Sequence, residues 1–158
     1  MIDFVGCLIP QSVPDDTFSA WMREQPHYLR TVNQTSYPPI SRTPTVISIE
    51  VKLDGDEDEA LMQLGVWLSS WHNRVGLLQK NGPVISLPAI IVLRHEWTLY
   101  LAVDVGKSID LVYIADIGNT RSLEGTYRLL AVLRRIGDWS LTTFNPWFKH
   151  TFLGLKEE

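Results

Sequence analysis

Apolar and polar positions along this chain switch between a period of two and a period of about 3.6, and the switches mark its elements. Met1–Ile9 is a β-prone run closed by Pro10. After Pro14, the stretch Asp15–Gln25 places Phe18, Trp21 and Met22 on one helical face. Turn-forming residues then accumulate between Pro26 and Pro44 (Asn33, Thr35, Ser36, Pro38, Pro39, Ser41 and Thr43), which predicts a long ordered loop without regular structure. Thr45–Leu53 alternates cleanly. Thr45, Ile47, Ile49, Val51 and Leu53 form the expected core face, while Val46, Ser48, Glu50 and Lys52 emerge on the other.

The acidic run Asp54–Glu59 suits the positive end of a helix dipole and opens a helix expected to reach about Lys80, where Asn81-Gly82-Pro83 stops it. Its apolar stripe is Leu61, Leu64, Leu68, Trp71, Val75 and Leu78; Gln63, Trp67, Ser70 and Arg74 follow one another on an adjoining face. Three β-rich runs come next, Leu87–Arg94, Trp97–Asp104 and Ile109–Asp116. The short connections His95-Glu96 and Gly106-Lys107 predict antiparallel hairpins between them. A second long helix is expected over Ser122–Trp139, burying Leu123, Tyr127, Leu130, Leu133 and Ile136 and leaving Arg121, Arg128 and Arg135 as a solvated stripe. Leu141–Leu155 is an aromatic tail interrupted by Pro146. No repeat or linker divides residues 1–158, so one domain is expected.

Composition narrows the class. With 45% hydrophobic residues and 16 aromatics in 158, the chain is too apolar for intrinsic disorder. Its longest apolar stretches fall short of the ~20 residues of a membrane helix, and no basic segment leads into a signal-like apolar run. The single cysteine, Cys7, excludes an intrachain disulfide and a zinc staple, so an intracellular setting, cytoplasmic or nuclear, is expected. Net charge is −4, whereas dedicated nucleic-acid binders carry a basic footprint.

Phosphate-cradling glycine loops, nucleophile elbows and paired-histidine zinc motifs are absent, and His27, His72, His95 and His150 are scattered among different elements. The arrangement with chemical content is Glu50-Val51-Lys52, whose two charged side chains share a strand face. The carboxylate can hold a hard divalent cation; the ammonium can orient or deprotonate water, or neutralise charge developing on a phosphate.

Asp3 on a first strand, Glu50-x-Lys52 on a later one, then a helix bearing Gln63 and, four residues on, Trp67, is an order that resembles the PD-(D/E)XK nuclease superfamily. The segments VISIEVK, QLGVWLSSWHNRV, LPAIIVLRHEWTLYLA and IGNTRSLEGTYRLLAVLRR are similar to the nuclease-like domain of that superfamily found in many fungal proteins. The likeness runs from Asp3 to about Trp139. It implies an α/β fold of the α+β type, a restriction-endonuclease-like core with a mixed central sheet of about five strands flanked by helices, here shortened at its N-terminus. It further implies Asp3 and Glu50 as ligands of Mg²⁺ (or Mn²⁺), Lys52 as the catalytic lysine and Gln63 as a helix residue leaning into the site, with phosphodiester hydrolysis of nucleic acid as the reaction.

Two other readings stay open. The fold can serve a metal-independent small-molecule enzyme, a cyclase or isomerase of secondary metabolism, with substrate lined by Trp67, Trp71, Trp97, Trp147 and Phe148. Alternatively, an exposed aromatic tail docks a partner or makes a homo-oligomer. Trp67, Trp71, Arg74, Trp97 and Arg121 are the expected substrate-binding residues. No membrane partner is expected.

Overall fold

A computed structural model describes residues 2–8, 15–54, 56–79 and 83–154. The turns expected at Pro10 and Pro14, the helix stop at Asn81-Gly82 and the last residues of the aromatic tail, from Leu155 on, lie outside these. Strand β1 (Phe4–Cys7) is followed by α1 (Asp15–Glu24), a 3-10 turn at His27–Leu29 and the short α2 (Pro38–Ser41). Then come β2 (Thr45–Lys52), α3 (Glu57–Leu78), β3 (Leu87–Leu93), β4 (Glu96–Asp104) and β5 (Ile109–Asn119). The chain closes with α4 (Leu123–Trp139), a π-helical turn at Ser140–Phe144 and α5 (Asn145–Leu153).

The five strands form one mixed sheet in sequence order. β1 and β2 are antiparallel, β2 and β3 parallel, and β3–β4–β5 an antiparallel meander. The parallel step requires a crossover, and α3 supplies it. Asp56 caps that helix, its side chain accepting from the Asp58 N–H at 3.1 Å, and Glu57, Asp58 and Glu59 fill the first turn, where carboxylates complement the free N–H groups. Ala60, Leu64, Leu68, Trp71, Val75 and Leu78 bury its inner face. No helix among the described residues is long and apolar enough to cross a membrane.

The sequence expectation fails instructively in three places. In β2, Val46 and Ser48 are as buried as Thr45 and Ile47, because an interior strand between β1 and β3 is covered on both faces; Leu53, beyond the strand's end, is 76% exposed. The stretch 26–44 is not without regular structure. Asn33 ties it down, its buried amide donating to the carbonyls of Ile40 and Thr43 while its oxygen accepts from the Thr45 N–H.

In α4 the buried face is Gly125, Leu129 and the half-buried Val132, Leu133 and Ile136. The expected core residues Leu123 and Tyr127 are 73% and 64% exposed, and Leu130 also faces out. The helix carries two apolar stripes, and close backbone approach decides which one meets the sheet. Gly118 sits at φ +139°, and a Cβ there would lie 2.8 Å from the Leu129 nitrogen and overlap the Gly125 carbonyl, so only glycine lets α4 settle at that depth. The tail, exposed only under the interaction-module reading, packs inward: Phe148 meets Phe18 at 5.8 Å and Phe152 meets Trp21 at 5.6 Å between ring centroids.

Candidate functional site

Alternation along β2 sends Glu50 and Lys52 to the face covered by the first turns of α3. Glu50 is 2% exposed. One of its oxygens pairs with the Lys52 Nζ at 3.2 Å, and the other, Oε2, is buried with no hydrogen-bond partner. Lys52 is the hub. Its ammonium also reaches the Glu59 carboxylate at 3.3 Å and donates to the Gln63 Oε1 at 3.0 Å, while the Gln63 amide donates to Glu59 at 2.9 Å. Burial pulls the Lys52 pKa down, but the bonds and charges of Glu50 and Glu59 outweigh it and hold the ammonium above the ordinary lysine value. Lys52 is therefore charged at neutral pH.

Asp3, expected on the first strand, lies one residue ahead of β1. Its Oδ2 accepts from the Val51 N–H at 2.9 Å, on the peptide that joins Val51 to Glu50, so residues 48 positions apart in the chain meet at one point of β2. A second tie fixes the helix above the sheet: the Tyr100 hydroxyl on β4 donates to Glu57 at 2.6 Å, and burial together with that carboxylate raises the phenol's pKa. Sequence reasoning missed Glu59. It treated the acidic run as dipole chemistry alone, although Glu59 and Gln63 stand at the four-residue spacing that puts two helix side chains together.

The strand ends beside Lys52 also gather cations. Arg94, whose N–H bonds to the Lys52 carbonyl at 2.8 Å, occupies the β3–β4 turn at φ +57° and pairs loosely with Asp54 at 3.5 Å. Arg121 pairs with Glu96 at 3.7 Å. Glu96 lies in the same cross-strand row as Leu93 and Lys52, two strands away, about 10 Å at the usual spacing. The sequence placed Arg94 at the end of the β-rich run Leu87–Arg94, with the connection at His95-Glu96, and gave it no role; the structure puts it in the turn.

The other residues assigned to substrate lie elsewhere. Trp71 is buried in the core, and Trp67 is half-buried with its carbonyl accepting from the Gln34 amide. Trp97 alternates with Thr98 and Tyr100, which share the α3 face, so it points to the opposite side of the sheet. Trp71, Trp147 and Phe148, three of the five aromatics of the small-molecule reading, enclose a void of only about 10 Å³. Arg74 braces the 26–36 segment, donating to the carbonyls of Tyr28 (2.7 Å) and Thr31 (3.2 Å) and to the Thr31 hydroxyl.

Among the described residues no three His, Cys, Asp or Glu side chains form a metal-holding group. The donor set still suits a hard divalent ion, since Mg²⁺ is commonly held by one or two carboxylates and completes its shell with water and substrate phosphate. Glu50 offers a buried oxygen without a partner, and Asp3 supplies a second carboxylate at the adjoining peptide. No curated protein and no solved structure matches the chain significantly. The family model described as the PD-(D/E)XK nuclease superfamily matches residues 1–145, which include Asp3, Glu50, Lys52 and Gln63. An acid just ahead of β1 beside a Glu-x-Lys strand, followed by a crossover helix that returns a glutamine to the lysine, is thus the arrangement of a chain that belongs to the PD-(D/E)XK nuclease superfamily.

Proposed function

We propose that this chain hydrolyses phosphodiester bonds of nucleic acid with a divalent cation held by Glu50 and Asp3. The observation that carries the reading is the bare Glu50 oxygen: an anionic atom excluded from water and left unpaired by a lysine two residues away is a poor structural element and a good ligand. Mg²⁺ or Mn²⁺ there supplies Lewis-acid polarisation and a more acidic water.

The chain's own groups divide the remaining work. Lys52, held as an ammonium by Glu50, Glu59 and Gln63, places positive charge where the phosphate accumulates negative charge. Arg94 and Arg121 stand at the rim to meet flanking phosphates. Carboxylates outnumber cations along Asp54–Glu59, so the rim repels a bare phosphodiester; a bound cation offsets that repulsion.

Calorimetric titration of the chain and of Glu50→Gln with Mg²⁺ and Mn²⁺, alongside cleavage of plasmid DNA and of single-stranded RNA, tests the proposal. Metal binding that Glu50→Gln loses, together with metal-dependent cleavage that Asp3→Ala and Lys52→Ala lose, supports it. Full cleavage in either alanine variant, or no metal binding by the unaltered chain, overturns it.

A further inference from the structure

At the opposite end of α3, nine residues beyond Gln63 and so about 13 Å along the helix axis, His72 lines a second cleft of about 400 Å³. Its far wall is the β4–β5 turn, with Asp104, Lys107 and Ser108, at the end of the sheet away from Lys52. The cleft shares no residue with the Glu50–Lys52 network.

His72 is the unusual member. It is 4% exposed, and its Nδ1 lies 2.8 Å from the Leu68 carbonyl. A carbonyl only accepts, so Nδ1 carries the proton and Nε2 is left as a lone-pair acceptor; that atom is buried with no partner. Burial lowers the imidazole pKa, opposed by the Leu68 bond and by the charge of Asp104, so the ring is neutral near pH 7. Asp104 is a second acceptor, with one oxygen taken by the Gly106 N–H at 2.7 Å. Lys107, on the exposed turn, offers only donors. The cleft thus offers acceptors at the buried His72 and the exposed Asp104 and a cation at Lys107, with the apolar side chains of Leu77, Val84 and Ile109 beside them.

We propose that this cleft binds a small zwitterion of the amino-acid type, its ammonium donating to His72 Nε2 and Asp104 and its carboxylate resting on Lys107 and Ser108. The volume falls in the range of about 300–1,000 Å³ usual for small-ligand sites, and an aliphatic side chain fits the apolar wall. L-Norleucine carries all three features. Pentylamine lacks the carboxylate, and hexanoate lacks the amine.

The test follows the His72 imidazole nitrogens by NMR while each of the three compounds is titrated into the whole chain. L-Norleucine is expected to move the Nε2 resonance, and pentylamine and hexanoate to bind at least roughly tenfold more weakly. Asp104→Asn, which keeps the acceptor for Gly106, and Lys107→Ala are each expected to weaken norleucine by roughly tenfold. Both positions are exposed, so folding is not at stake. No shift with norleucine up to about 10 mM, equal binding of pentylamine, or unchanged binding in Asp104→Asn overturns the proposal.

Discussion

The two ends of α3 solve the same problem in opposite ways. At its start, charge is kept and wired: Lys52 answers Glu50, Glu59 and Gln63, and Tyr100 holds Glu57. At its other end the buried group is neutral: His72 keeps an uncharged ring, and Arg74 spends its donors on the carbonyls of Tyr28 and Thr31 and on the Thr31 hydroxyl. Each end includes a buried heteroatom without a hydrogen-bond partner. The first is an anionic oxygen, which wants a cation; the second is a neutral nitrogen, which wants a donor. A helix spanning 22 residues can present two binding chemistries because the strand ends it visits differ in their polar partners.

The harshest way to break this comparison is to cut the helix from the sheet between its ends. Leu68 is fully buried midway, and Leu68→Ala is expected to cost about 2–5 kcal/mol in urea unfolding, degrading both ends together. Lys52→Ala separates them: cleavage is expected to fall by roughly a hundredfold or more, while the His72 imidazole resonances stay in place.

Acid titration acts on the other end. His72 has a folded-state pKa below 6.5, so the unfolded chain takes up a proton that the folded one refuses. Its contribution is complete above pH 6.5 and is lost as pH falls from there toward the folded value, with a slope no steeper than about 1.4 kcal/mol per pH unit. Thermal unfolding between pH 7 and pH 5 measures this, and His72→Gln is expected to remove that component. The smallest effect sits at the first end. Arg94 occupies a left-handed conformation better suited to glycine, so Arg94→Gly is expected to raise stability by up to about 1 kcal/mol while weakening nucleic-acid binding; unchanged binding refutes a rim role for the side chain.

The sequence made the scaffold of the first end legible. A β-prone run at 45–53, an acid-led amphipathic helix and paired hairpin runs are local signals, and Lys52 and Gln63 meet, a proximity that the family resemblance implied. The misreadings were all failures of partner choice. Periodicity marks Leu123, Tyr127 and Leu130 as a stripe but does not say that Gly118 and Gly125 admit the sheet on the other side of the helix. Trp71 and Phe148 were expected to line a pocket, yet aromatic side chains close a core as readily as they open a cleft. The β3–β4 turn gave no hint of Arg94, since a positive φ in a non-glycine residue has no compositional mark.

Strand β1 is four residues long and pairs on one side only, yet it brings Asp3 to Val51 across a loop closure of 48 residues. Short border strands closed by long loops detach more cheaply than a whole domain melts. Peeling β1 away removes one acid while leaving Glu50 and Lys52 where they are. Deuterium uptake at the Val51 amide, whose acceptor is Asp3, is therefore expected to run ahead of uptake in β3 at the middle of the sheet.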